Sequence, residues 1–245
     1  MAIVIWDKKR GETLSDTLDR FRLENIEYAH EKITYAGRLD PMAEGLLPLL
    51  TGGDIYKKDS YLGMDKVYEV DFFFGPVTDS LDVLGCVDML RSCAPREVDV
   101  DAGFLVGEHF QEYPRYSSKT VNGKPLWKWE REGLIDTIVI PSRKIQVYSV
   151  DMLPHTQISL SDLQEQICND ICLVNGDFRQ ERSLSLWRDY FMSYDANASL
   201  VLYRMRVHVS SGTYVRSLVQ ELSRFYGLPA TTYAIRRIRV GDMCL

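Results

Sequence analysis

The stretch Val201-Leu-Tyr-Arg-Met-Arg-Val-His-Val-Ser-Ser-Gly-Thr-Tyr-Val-Arg216-Ser-Leu-Val-Gln-Glu-Leu-Ser-Arg-Phe-Tyr226-Gly changes its hydrophobic period part-way along. Val201, Tyr203, Met205, Val207 and Val209 alternate with Arg204, Arg206 and His208, so the first half is a strand with one apolar and one basic face. Ser210-Ser-Gly212 supplies a turn. Val215, Leu218, Val219, Leu222, Phe225 and Tyr226 then recur at helical spacing, and Gly227 before Pro229 is a stop signal. Arg216 therefore falls where a strand hands over to a helix.

Working outward, Tyr68, Val70, Phe72 and Phe74 alternate with Glu69 and Asp71, which predicts a strand over 66–74 ended by Gly75-Pro76. Ala2 to Trp6 reads as a short buried strand. Thr13 and Asp16 have capping-box spacing ahead of Leu14, Leu18 and Phe21 on one helical face. A second helix is predicted over 161–173, with Ser161 and Gln164 as its capping box; Cys168 and Cys172 share one of its faces and are expected to pack into the core. The segment 35–53 carries Gly37, Pro41, Gly45, Pro48 and Gly52-Gly53, and is expected to be a loop with at most a short helix. No GxGxxG follows the first strand, and P-loop, HExxH, GxSxG and zinc-ligand patterns are missing. An α+β protein is the reading, with a mixed, mainly antiparallel sheet flanked by helices.

The 245 residues are 45% hydrophobic and 26% charged, with no apolar run long enough to span a membrane and no signal-peptide core at the start. A cytoplasmic protein is expected. Five cysteines, an odd number with no CxxC, read as reduced thiols in a chain large enough to need no covalent staples. The net charge of −6 disfavours a nucleic-acid partner on average, yet the charge is segregated. Residues 201–240 hold seven arginines against Glu221 alone, and residues 111–131 hold Arg115, Lys119, Lys124, Lys128 and Arg131 against Glu112 and Glu130. Tyr113, Tyr116, Trp127 and Trp129 are interleaved with the second group, so a basic face that follows phosphates is compatible with this pattern.

The chemistry centres on Tyr35-Ala-Gly-Arg-Leu-Asp40-Pro-Met-Ala-Glu-Gly45, where an acid sits between Leu39 and Pro41 in a glycine-bounded loop. Taken alone, the loop reads better as an Asp-Pro turn than as a catalyst. Further motifs follow in order: Lys66-Val-Tyr68, Gly75-Pro-Val-Thr-Asp79-Ser-Leu-Asp82, Tyr116-Ser117 with Val121-Asn-Gly-Lys124, the run from His208 to Leu218, and Arg236-Arg237-Ile-Arg239-Val-Gly241. Together they resemble the TruB family of RNA pseudouridine synthases, over residues 1–150 and 201–243.

The resemblance implies a pseudouridine synthase fold in which Asp40 is the nucleophile, Tyr68 the active-site tyrosine and Arg216 the arginine paired with the aspartate. It further implies a substrate pocket with Tyr214, Ile235 and Lys66, a Tyr35 that stacks beside the loop, and an arm over 111–131 whose Lys119, Lys124 and Lys128 grip RNA. The partner implied is tRNA, at its T-loop uridine, with no metal, organic cofactor, membrane or protein partner required. One catalytic domain over 1–245 is expected, without the C-terminal PUA domain common in bacterial relatives. The segment 154–200 lies outside the resemblance and is expected to be a packing decoration. Three positions depart from the family pattern: Tyr35 stands for a histidine, Arg38 for a small residue, and Asp7-Lys8-Lys9 lacks the usual proline. The rival readings are the same chemistry on another RNA, a noncatalytic tRNA-binding or chaperone protein, and a hydrolase pairing Asp40 with Asp79 or Asp82. Those two acids are expected to form a surface turn with Gly75-Pro76.

Overall fold

A computed structural model describes residues 3–245 of the chain. Its first half contains β1 (Ile3–Lys8), α1 (Leu14–Glu24), β2 (Ile33–Tyr35), β3 (Ala43–Thr51), α2 (Lys58–Gly63) and β4 (Lys66–Phe74). A long irregular stretch then leads to β5 (Gly107–Glu112), the short hairpin β6 (Thr120–Val121) and β7 (Lys124–Pro125), and α3 (Leu126–Arg131). The remainder is β8 (Ser142–Ser159), α4 (Leu160–Leu173), α5 (Gln180–Met192), β9 (Ser199–Val209), α6 (Val215–Tyr226), β10 (Ala230–Val240) and β11 (Met243–Cys244). The expected first strand is present from Ile3; Ala2 lies outside the described residues.

One sheet runs β1-β3-β10-β4-β9-β8-β5, with β2 added to β3 and β11 to β10. Only the β10–β3 pair is parallel among these pairings, so the sheet is mixed and mainly antiparallel as the sequence implied. The period of two decides which side chains meet. Phe72, Phe74, Tyr203, Met205 and Val207 point to the face covered by Val215, Leu218, Val219 and Leu222 of α6. Phe73, Leu200 and Leu202, of opposite parity, point to the face covered by α4 and α5. A third cluster packs Phe21 of α1 against Leu47 and Leu49 of β3. The Thr13–Asp16 capping box that starts α1 is formed in both directions.

The segment 35–53 is not a loop throughout: β3 occupies Ala43–Thr51, and Leu46, Leu47, Leu49 and Leu50 are fully buried. Gly45 interrupts no strand, because a Cβ there would stand 2.4 Å from the Arg237 carbonyl of the parallel neighbour. Close approach of two backbones requires that glycine. Ser161 does not cap α4 either; the Ser159 side chain accepts from the Asp162 amide. Leu160, Leu163, Ile167 and Ile171 take the core face of α4, leaving Cys168 half-buried at its edge and Cys172 exposed, so the cysteines do not pack inside. All five cysteines are free.

The arginine run of 201–240 does not form an open basic face. Cross-strand register sets Arg204 against Asp71 (2.6 Å) and Arg206 against Glu69 (2.6 Å), while Arg236 meets Glu44 (2.9 Å) and Arg239 meets Asp65 (3.1 Å). Charges segregated along the chain are interleaved by strand pairing.

Helices α4 and α5 come from the 154–200 segment, and α5 holds a long loop in place. Ser183 Oγ donates to the Gly85 carbonyl (2.7 Å), Trp187 Nε1 to Val83 (2.9 Å) and the Tyr190 hydroxyl to Cys93 (2.9 Å). Trp187 is wholly buried and stacks on Phe191 at 5.6 Å between centroids. Trp187→Ala should therefore cost about 3–5 kcal/mol in denaturant unfolding, whereas loss of under about 1 kcal/mol would show that this layer contributes little. Among the described residues no helix is long and apolar enough to cross a membrane.

Candidate active site

The loop carrying Asp40 joins β2 to β3 and is gripped from two sides. Lys8, buried on β1, donates its ammonium to the carbonyls of Ala43 (2.6 Å), Pro41 (3.1 Å) and Lys9 (3.1 Å). Burial pulls its pKa down to about 8, against attraction from Glu12, Asp40 and Glu44. From β10, the buried Arg237 donates to Leu46 (2.7 Å) and Gly37 (3.1 Å). These bonds satisfy carbonyls that a loop wedged into a core would otherwise leave unpaired. They also leave the Asp40 side chain at the surface, 40% exposed.

Arg216, in the first turn of α6, reaches Asp40 with an Nη2–Oδ2 separation of 2.8 Å. Its guanidinium is only 3% exposed and faces a second carboxylate, that of Asp82, at 3.7 Å from Nε. It also donates to the Ser80 carbonyl and to Tyr116 (3.2 Å). Burial alone would push this arginine down, but Asp40 and Asp82 more than offset it and the net movement is upward. Asp82 moves up, chiefly through burial, with Arg216 and the Ser80 hydroxyl (2.6 Å) opposing. An exposed carboxylate thus shares one buried cation with a buried carboxylate.

Two cavities meet at this point. One, of about 360 Å³, is lined by Tyr68, Tyr113, Tyr214, Ile235, Lys66 and Arg143. The other, of about 440 Å³, is lined by Tyr35, Tyr116, Trp127, Phe178 and Arg179 among others. Arg38, Leu39, Asp40, Ser118 and Arg216 belong to both walls, so the carboxylate stands on the partition.

Residues 25–166, including Asp40, Tyr68 and Asp82, match the family model described as TruB family pseudouridylate synthase, N-terminal domain. The chain belongs to the TruB family. Among similar proteins, the tRNA pseudouridine synthase B of Cupriavidus metallidurans is 26% identical over 245 residues, and that of Syntrophus aciditrophicus 29% identical over 247. Both alignments take in 99% of this chain, which spans 63% of the length of either relative. Solved structures share the fold. A Cbf5-Nop10-Gar1 complex matches with a TM-score of 0.57 at 16% identity, over 98% of this chain and 50% of that one. An archaeal box H/ACA sRNP Nop10-Cbf5 complex matches at 0.52 and 17%, over 99% and 48%.

The structure brings the TruB-type residues Asp40, Tyr68, Tyr214, Arg216 and Ile235 to one cavity wall. Tyr68 is 8% exposed on β4, and Ile235 is 6% exposed on β10 opposite Ala43. Tyr214 immediately precedes α6 and meets Tyr113 edge-on at 5.7 Å. Lys66 lines this cavity too, but its ammonium donates to the Leu62 (2.8 Å) and Met64 carbonyls, and burial lowers it to about 8. It is tied to the fold rather than offered to a ligand. Tyr35 lies on the other side of Asp40, in the larger cavity, with the Lys58 ammonium 5.2 Å from its ring centre.

Within residues 111–131, expected to form the arm, Lys124 is paired with Glu132 and sits 4.0 Å over Trp129, and Lys119 is 5.1 Å from the centre of Tyr113. Lys128 is exposed and has no ion pair among the described residues. The arm's arginines are also engaged, Arg115 with Glu130 (3.1 Å) and Asp136 (2.6 Å), Arg131 with Asp177.

Asp79 and Asp82 do not form a surface turn. Asp79 takes a two-pronged bond from Arg179 (2.6 and 3.2 Å), whose guanidinium lies 4.3 Å over Tyr116, and Asp82 is buried against Arg216. Neither stands free as the second acid a hydrolase would use. Sequence reading missed Asp82 as a partner of Arg216, and Gln111, whose amide brackets Tyr214 through both its backbone N–H (2.8 Å) and carbonyl (3.1 Å). The ordered spacing from Gly75 to Asp82 was the available signal for Asp82; Gln111 had none. Among the described residues, no group of three or more His, Cys, Asp or Glu side chains can hold a metal ion.

Proposed function

We propose that this chain is an RNA pseudouridine synthase that isomerises the T-loop uridine of tRNA. The observation that carries this is the half-exposed Asp40 carboxylate held at 2.8 Å by an almost fully buried Arg216, on the wall of a cavity that also holds Tyr68. Family membership, and relatives named tRNA pseudouridine synthase B, support the choice of RNA.

In the reaction the uracil N1–C1′ bond breaks and a C5–C1′ bond forms. C5 loses its hydrogen and N1 gains one, so the change is redox-neutral and transfers no group to another molecule. Asp40 is the nucleophile, its carboxylate oriented by the Arg216 guanidinium. The base is extruded from folded RNA at a cost of a few kcal/mol, and stacking on Tyr68 or Tyr214 returns roughly 1–3 kcal/mol per ring. The Tyr68 hydroxyl assists proton departure from C5 in this reading. Nothing in this chemistry calls for a metal or an organic cofactor. A tRNA-modifying enzyme of this kind would work in the cytoplasm without a membrane or a required protein partner.

The direct test is nucleoside analysis of unmodified tRNA after incubation with the protein: one pseudouridine per chain, in the T-loop, supports the reading, and none in any tRNA refutes it. The arm adds a graded expectation. Lys128→Ala should lower the slope of log affinity against log salt by ~0.7 to 0.9, and Lys124→Ala, already paired with Glu132, should change it much less. Equal slopes for wild type and Lys128→Ala would remove the arm from the phosphate contacts.

A further inference from the structure

The smaller cavity has six charged side chains on its wall: Arg38, Asp40, Lys66, Arg143, Arg216 and Arg237. Four already have a partner within the fold. Arg216 holds Asp40 and Asp82, while Lys66 and Arg237 donate to backbone carbonyls. Arg38 and Arg143 remain, and neither has a carboxylate within ion-pair distance among the described residues. Arg38 is exposed, and its one hydrogen bond is to the Ser118 hydroxyl (2.6 Å), within the 111–131 segment.

Arg143 is the more unusual of the two. It is half-buried, and its Nε is fully enclosed without a hydrogen-bond partner. Its guanidinium lies against the turn before α6 so closely that a Cβ at Gly212 would fall 1.7 Å from Nη1. Gly212, at φ +79°, suits the turn, and its missing side chain leaves the space that the Arg143 guanidinium occupies. Close by, Lys66 is pushed down to about 8 by burial first and then by Arg237, with Asp65 opposing and Arg143 adding a smaller push. A fold that crowds cations and leaves the enclosed Nε groups of Arg143 and Arg216 without an acceptor is destabilised locally, and an anion bound at Arg143 relieves part of that cost. Elsewhere in this molecule the usual solution is an acid on the neighbouring strand, as Asp71 serves Arg204 and Glu69 serves Arg206. Here that acid is missing, and three tyrosines, 68, 113 and 214, share the wall instead.

We propose that Arg143 and Arg38 form a phosphodiester clamp, each taking a backbone phosphate that flanks the base held in the Tyr68–Tyr214 cavity. The ligand class is an extruded nucleotide within a single strand: planar guanidinia suit phosphate oxygens, and tyrosine rings suit a base. Arg38, adjoining the Leu39-Asp40 pair and bonded to Ser118, would couple phosphate capture to the position of the arm. The inference rests on the RNA reading above but goes beyond it, because it assigns the contacts to two residues outside the arm's lysines.

The test uses the full chain and a T-arm stem-loop RNA. Binding is measured across a salt series for wild type, Arg38→Gln, Arg143→Gln and the corresponding lysine variants, alongside thermal unfolding and single-turnover rates. Each glutamine variant should weaken binding about tenfold or more at moderate salt, the effect of losing a hydrogen bond to a charged group. Each should also flatten the salt slope by ~0.7, the single-strand value. Lysine should restore the slope, since the charge returns, but not the whole affinity. Arg143→Gln should leave thermal stability unchanged or raise it, because an unpartnered half-buried cation is removed; a merely structural arginine would lower it. If Arg143→Gln fails to fold, the Arg143 half of the clamp falls, and the exposed Arg38 still tests its own half. Unchanged affinity and slope in both glutamine variants of an active enzyme overturn the clamp. Flattened slopes in a protein that makes no pseudouridine would uphold the clamp and refute the catalytic reading, and a wild type that does not bind the RNA refutes both.

Discussion

Asp40→Asn should reduce pseudouridine formation by on the order of 10^4-fold or more, the scale on which removing a nucleophile acts, while tRNA affinity changes by less than about threefold. The asymmetry follows from where Asp40 stands. Its carboxylate is 40% exposed on the partition between two cavities and contacts one guanidinium, which keeps Asp82 as a second counter-ion when Asp40 loses its charge. The loop that presents it is held by hydrogen bonds from the ammonium of Lys8 and the guanidinium of Arg237 to backbone carbonyls, which an isosteric amide at Asp40 leaves in place. Single-turnover nucleoside analysis beside equilibrium binding checks both halves. Turnover near wild type would remove Asp40 from the chemistry, and loss of binding in parallel with turnover would make it a recognition residue instead.

Arg216→Ala should be nearly as damaging to the rate, and unlike Asp40→Asn it should also destabilise the protein, by about 3–5 kcal/mol. The arginine is 3% exposed, and its removal strips the buried Asp82 of the cation that opposes its desolvation. Arg216→Lys keeps a charge but loses the fork that reaches Asp40, Asp82, Ser80 and Tyr116 together, so only part of stability and rate should return. The double variant Arg216→Ala, Asp82→Asn separates the two roles. It removes the orphaned buried charge and should recover much of the stability, yet the rate should stay low because Asp40 still lacks its partner. A double variant that recovers rate together with stability would show that Arg216 acts only as a structural counter-ion.

Much of this architecture was legible because it is local. The periods of β9 and α6 lie within one stretch of chain, and with them came the position of Arg216 at the head of a helix. Asp40 was legible through ordered motifs rather than through its loop, whose Asp-Pro and glycines read equally as a turn. Where partners come from afar, the reading failed for physical reasons. Gly45 looked like a loop breaker but is required by the Arg237 backbone of a parallel strand that arrives late in the chain. The arginines of β9 and β10 looked like an open basic face until register set Asp71, Glu69, Glu44 and Asp65 against them. Asp82 looked like part of a surface turn, because its partner Arg216 and the α5 residues Ser183 and Trp187, which anchor the neighbouring Gly85 and Val83, lie about a hundred residues or more away in sequence. Composition along the chain reports neither strand register nor such long-range contacts.

The central claim is that Asp40 drives exchange of the uracil N1–C1′ bond for a C5–C1′ bond at one tRNA uridine. Since C5 must lose its hydrogen when the new bond forms, the most direct measurement is release of tritium to water from tRNA transcribed with uridine tritiated at C5. Wild-type protein is predicted to release the label of one uridine per tRNA, none once the T-loop uridine is replaced by cytidine, and none in the Asp40→Asn variant. Absence of release from any tRNA with wild-type protein, or equal release by Asp40→Asn, would contradict it.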